Sequence, residues 1–96
     1  MILRERDTQE GLLVAVCDDD VLGETFETDG VSFTVTEEFY GGDEVDESEV
    51  VDSLTRASVA NIVGTDAVTL AVENGFVDEG SVLELDSTKH AQFLRM

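Results

Sequence analysis

The stretch "DESEVVDSLTRASVANIVGTDAVTLAVEN", Asp46 to Asn74, decides the fold. Asp46 followed three residues later by Glu49 fits a capping box with Asp in place of Ser or Thr, and Val50, Val51, Leu54, Ala57 and Ser58 then recur at helical spacing. The spacing predicts a helix from Glu47 to Val63. Gly64 can end it as a left-handed cap, Thr65 can cap a second helix over "DAVTLAVEN", and Asn74-Gly75 can end that one. The expectation is a two-helix hairpin with a very short turn.

Strands are expected on both sides of the hairpin. "LLVAVC", Leu12 to Cys17, is a continuous apolar run suited to burial on both faces, while in "VSFTVT" the residues Val31, Phe33 and Val35 alternate with Ser32, Thr34 and Thr36. Between them Asp18 to Asp20 offer a turn, Leu22 to Glu27 a short strand, and Asp29-Gly30 a hairpin. "ILRER" can add a first strand, "SVLEL" and "HAQFLR" two closing ones, with Leu83, Leu85, Ala91 and Phe93 turned inward. The reading is α+β. It has an N-terminal meander and C-terminal strands in a small antiparallel or mixed sheet, with the helical hairpin packed on one face.

A chain of 96 residues supports one domain, 1–96, and at this size folding buries roughly 65% of the surface that the unfolded chain exposes. No apolar run is long enough to span a bilayer, and "MILRERD" is charged where a signal peptide needs its apolar stretch. A cytoplasmic protein without a membrane partner is expected. The single cysteine excludes both an internal disulfide and a cysteine-rich zinc site within the chain.

Charge is the strongest compositional signal: 23 Asp and Glu stand against 5 Lys and Arg, a formal net charge of -18. Such repulsion is screened at about 1 M salt, where the Debye length is roughly 3 Å. The apolar periodicity argues against a disordered acidic chain. A halophilic globular protein is therefore expected, and general salt-bridged docking on nucleic acid, which needs a basic surface, is not.

The candidate chemistry is sparse. Gly41-Gly42-Asp43-Glu44-Val45 differs by one residue from the signature of the bacterial cyclic-diguanylate cyclases, which it resembles in letters only. That family's domain is longer than this chain, and no Lys or Arg lies between Arg6 and Arg56 to meet a triphosphate. A glycine turn leading to acids at a helix N-terminus is the simpler reading. Asp18, Asp20 and Gly23 fall at three positions of a calcium loop, but Leu22 stands where a ligand is required. Cys17 ends an apolar run before three aspartates that oppose thiolate formation, so it reads as a buried hydrophobe. No catalytic set, metal site or cofactor is expected.

The C-terminal "STKHAQFLRM" gathers Lys89, His90 and Arg95, which Arg4 and Arg6 would join if the first and last strands were neighbours. The competing reading pairs these cations with local carboxylates. Asn61, on the expected core-facing stripe, either ties the interhelical turn to a strand or converges with Arg56 and His90 on a pocket.

"EEFYGG", "ANIVG" followed by "AV", and "HAQF", in this order and spacing, resemble the archaeal family numbered 424 among the domains of unknown function, over essentially the whole chain, and the acidity is similar to its haloarchaeal branch. The resemblance implies no established activity. It adds Phe39, Tyr40, Gly41, Gly42, Asn61, Gly64, His90 and Gln92 as candidate binding residues, beside Arg56 and Lys89. The expected function is a non-enzymatic binding module that docks on RNA, a ribonucleoprotein or a protein partner, with translation the expected setting. A small enzyme or nucleotide-binding protein using His90 and Asn61, and a structural subunit of a complex, are the alternatives.

Overall fold

Strand Gly11–Cys17 sends alternate side chains into two different cores, and this sets the layering. In the computed structural model, which describes residues 1–95, the elements run β1 (Ile2–Thr8), β2 (Gly11–Cys17), β3 (Thr25–Thr28), β4 (Val31–Thr34), α1 (Glu37–Tyr40), β5 (Asp43–Glu44), α2 (Glu47–Arg56), β6 (Val59–Val63), α3 (Thr65–Glu73), β7 (Leu83–Leu85) and β8 (Thr88–Leu94). Six strands form one mixed sheet in the order β5-β1-β2-β6-β8-β7, parallel only between β2 and β6. Val14 and Val16 pack with Ala60, Ile62 and Ala91 against Val50 and Leu54 of α2 and Ala67, Val68 and Ala71 of α3. Ala15 and Cys17 turn the other way, with Val63 and Leu85, and meet Phe26, Val35 and Tyr40. The fold is α+β, with two helices on one face and α1 plus a small hairpin on the other.

The helical hairpin is corrected. Helix α2 starts where expected, with the Asp46 carboxylate accepting from Glu49 N at 2.9 Å, but it ends at Arg56 rather than Val63. Residues 59–63 are a central strand, paired with β2 on one side and β8 on the other. Val59, Ile62 and Val63 are β-branched, which suits a pleated, two-sided burial better than a helix interior. Ala60, Ile62 and Val63 lose all their exposure there. A few apolar residues at helical spacing cannot be told from such a strand by period alone.

The break after α2 is held from far along the chain. Arg95 Nη1 donates to the carbonyls of Leu54, Thr55 and Ala57 at 3.2, 2.9 and 3.1 Å, supplying the partners that a helix C-terminus leaves open. The guanidinium also stacks on Phe93, 4.7 Å from the ring centre.

The expected meander divides in two. Strands β1 and β2 belong to the main sheet, whereas β3 and β4 form their own two-stranded sheet joined at Asp29-Gly30, both with positive φ, 50° and 79°, as a primed hairpin turn requires. Leu85 and Ala91 are buried and Phe93 is half-buried, but Leu83 is exposed.

Candidate functional site

Residues directly opposite one another in a sheet share a face, so the register sorts the candidates. Asn61 lies opposite Gln92 of β8 and Ala15 of β2, and Ala15 lies opposite Arg4. One step along the strands comes the row Arg6, Leu13, Val59, Leu94; one step the other way, the row Ile2, Cys17, Val63, His90, Leu83. Asn61, His90 and Gln92 therefore share a face, with His90 diagonal to Asn61.

The same register sends Glu5, Asp7, Glu84 and Lys89 to the opposite face. Across β1, β2, β6, β8 and β7, no carboxylate points into the Asn61 face, in a chain with 23 of them; the edge strand β5 places Glu44 there, opposite Ile2 and paired with the Met1 N-terminus at 2.8 Å. Helix α1 and the β3–β4 hairpin cover the end around Cys17 and Val63. The other end, with Leu13, Val59, Asn61, Gln92 and Leu94, is half-buried or exposed. The large hydrophobics exposed among the described residues are Leu94 at 65%, Val31 at 64% and Leu83 at 59%, and all three belong to this side. Leu83 and Leu94 do so by register, and Val31 by sharing a hairpin face with Phe33, which packs on His90. No buried side-chain nitrogen or oxygen among the described residues lacks a partner, so the Asn61 and Gln92 amides, which bond to nothing in the protein, face solvent.

A row of rings borders the open end. Arg6 lies 5.0 Å over Phe39, Phe39 meets Tyr40 edge-on at 4.9 Å, Tyr40 meets Phe33 at 6.5 Å, and Phe33 packs on the His90 imidazole at 5.4 Å. Tyr40 is buried, which pushes its hydroxyl pKa up. Cys17 is pushed up to about 11, first by burial and then by Asp18 and Asp19, so it is a neutral thiol at pH 7.

Burial lowers the His90 pKa from its ordinary 6.5, and neutral imidazole is the form present at pH 7. The folded protein then binds this proton more weakly than the unfolded chain, so His90 costs stability as pH falls below about 6.5. An NMR titration of this histidine is expected to give a midpoint below 6.5, shifted back upward in Phe33→Ala, which re-exposes the ring. A midpoint at or above 6.5 in the native protein would contradict this packing.

The remaining candidates hold the fold. Gly41 is the C-cap of α1, and a Cβ there would sit 2.5 Å from the Glu37 carbonyl oxygen. Gly42 passes so close to β1 that a Cβ would lie 2.8 Å from the Leu3 carbonyl carbon. "GGDE" is thus a close crossing followed by the edge strand β5, not a phosphate cradle. Gly64 precedes α3, Arg56 lies on the opposite face with Glu5 at 2.6 Å and Asp52 at 3.3 Å, and Lys89 shares a concavity of about 330 Å³ with Glu73, Glu79 and Glu84.

The basic patch does not form, because β2 and β6 separate β1 from β8. All four arginines already have partners within the fold. Arg4 donates to the Gly41 carbonyl at 3.2 Å, Arg6 to those of Phe39 at 3.2 Å and of Glu38, Arg95 to the end of α2, and Arg56 to carboxylates. These are mostly helix C-cap contacts, in which a cation also complements the negative end of the dipole.

The largest described cleft, about 630 Å³, lies on the opposite face around Glu5, Ser48, Asp52 and Arg56. There Ser53 Oγ donates to Glu5 at 2.5 Å, and this bond, then the Arg56 guanidinium, lowers the Glu5 pKa. None of the four described concavities is lined by Asn61, His90 or Gln92. The trio is a surface rather than a pocket. Leu13, Val31, Val59, Leu83 and Leu94 were not among the residues singled out by sequence. The sequence alone carried no signal for them, because β2, β6 and β8 hold no acid on either face and the contrast comes from Glu5, Asp7 and Glu84 on their neighbours β1 and β7.

The sequence matches the family described as "Protein of unknown function (DUF424)" over residues 5–96. The protein belongs to the DUF424 family. The fold of this DUF424 chain is similar to the crystal structure of an uncharacterized conserved protein from Methanopyrus kandleri, with a TM-score of 0.80 and 23% identity, covering 99% of this chain and 92% of that one. No curated protein matches it.

Proposed function

We propose that the protein is a non-enzymatic docking module that binds the protein component of a ribonucleoprotein, through the open sheet face around Asn61, Gln92 and Leu94. The observation that carries this reading is the open end of this face, where no strand carries a carboxylate, with the large hydrophobics exposed among the described residues on its side. Apolar patches rimmed by polar groups mark interaction sites, and interface cores are depleted in charge. RNA backbone would call for free cations, whereas the arginines are engaged by helix ends and carboxylates. Translation is the setting we propose for this module, and the net charge of -18 supports a halophilic cytoplasm.

The test is retention of the purified protein on ribosomal particles in molar KCl. Retention that survives nuclease treatment and is lost in Leu94→Glu and Asn61→Asp supports the reading. Loss of retention on nuclease treatment would assign the contact to RNA instead. No retention, or retention indifferent to both substitutions, would overturn it.

A further inference from the structure

We infer that the open face, when no partner covers it, is closed by a second copy of this chain about a two-fold axis. The inference rests on reading this face as a docking surface, and it adds how that surface is kept from water in the free protein. A two-fold interface brings the same patch of each subunit together, so the patch must complement itself. A patch of single-sign charge cannot do that. Aliphatic side chains can, and so can carboxamides, each of which carries both donors and acceptors. Leu13, Val59, Leu94, Asn61 and Gln92 are of these two kinds.

Charge favours the open end of this face for a contact between two copies. With a net charge of -18 on each chain, any contact that brings carboxylates face to face is repulsive; on the Asn61 side the strands carry a single one, Glu44 of β5, which lies opposite Ile2 away from the open end and is paired with the Met1 N-terminus at 2.8 Å. Edge-to-edge strand pairing, the other common route, is disfavoured. The edge strands of the main sheet are β5, which is Asp43–Glu44, and the three-residue β7 with Glu84 at its centre, and the separate hairpin offers only the four-residue strands β3, which carries Glu27, and β4. Short, acid-bearing edges discourage continuation of a sheet. Molar salt strengthens the association twice over, by screening the remaining charge and by favouring apolar burial.

Sedimentation equilibrium in molar KCl is expected to give twice the 10.4 kDa chain mass. Leu94→Glu, at an exposed position that leaves the monomer fold intact, should weaken the dimer by more than about tenfold, since like charges then oppose across the axis. Thr69→Glu, exposed on α3 of the opposite face, should leave it unchanged. A monomer across the concentration range, or a dimer equally indifferent to Leu94→Glu and Thr69→Glu, would overturn the inference. Retention on ribosomal particles by a protein that is strictly monomeric would leave the docking function standing while removing the dimer. A dimer with no such retention would do the reverse.

Discussion

Gly64→Ala is expected to destabilise the protein by about 3–5 kcal/mol, a large fraction of the stability of a small domain. Gly64 lies between β6 and α3 with φ 116° and ψ 145°, a region that residues with a Cβ rarely adopt. A Cβ there would lie 2.7 Å from Asp18 Cβ and closer still to the Asp18 carboxyl. That carboxyl cannot give way freely. It is buried, and it accepts from the backbone N–H of Asp66 at 2.9 Å and of Ala67 at 2.8 Å, capping α3 from the end of a neighbouring strand. Backbone strain and two weakened charge-assisted hydrogen bonds therefore fall together.

The cause can be separated from general damage by denaturant titration of Gly64→Ala, Asp18→Ala and the double variant. Asp18→Ala removes the cap and also the carboxyl atoms that the new methyl group would strike most closely, leaving only the Asp18 Cβ at 2.7 Å. The double variant should cost clearly less than the sum of the single ones. Strict additivity would show that the close approach of Gly64 to Asp18 is not what fixes this junction.

The second large effect is that of salt. Moving the protein from molar KCl to dilute buffer is expected to lower its stability by an amount comparable to the whole. The molecule measures 33 × 28 × 26 Å, so the -18 net charge is packed into a body only about three Debye lengths across at 0.1 M salt, where that length is about 10 Å. Coulomb's law with that screening length and the roughly 3 Å of 1 M salt puts the change in repulsion, less what an expanded chain also feels, at about 6 kcal/mol. Native domains have about 5–15 kcal/mol in total. Thermal unfolding followed at both salt concentrations reads this directly. An unchanged midpoint would refute the halophilic reading of the composition.

Much of the fold was legible in the sequence, because local chemistry and tertiary burial agreed. "LLVAVC" is buried on both faces because it is central, Asp46 caps α2, and Asp29-Gly30 turns a hairpin. The strand at Val59–Val63 was not legible. Its β-branched residues follow a helix without a glycine or proline break, and the device that ends the helix, Arg95, lies 38 to 41 residues away. Helix α1 was missed because four residues give no period to detect.

Of the candidate site, Asn61, His90 and Gln92 do come together, though Asn61 was assigned to a helix. Arg56 and Lys89 sit on the opposite face, and the glycines are points of close backbone crossing. The face itself became visible only with the register, since a missing carboxylate is a property of paired strands and not of any one residue.

The Arg95 contact also bears on the order in which the protein folds. A ten-residue helix is marginal on its own, and the last turn of α2 is closed by a side chain that arrives only when β8 has docked beside β6. Closure of that last turn therefore depends on a contact of high sequence separation, the kind whose loop-closure cost slows folding. Helix, central strand and C-terminal strand are accordingly expected to appear in one cooperative step.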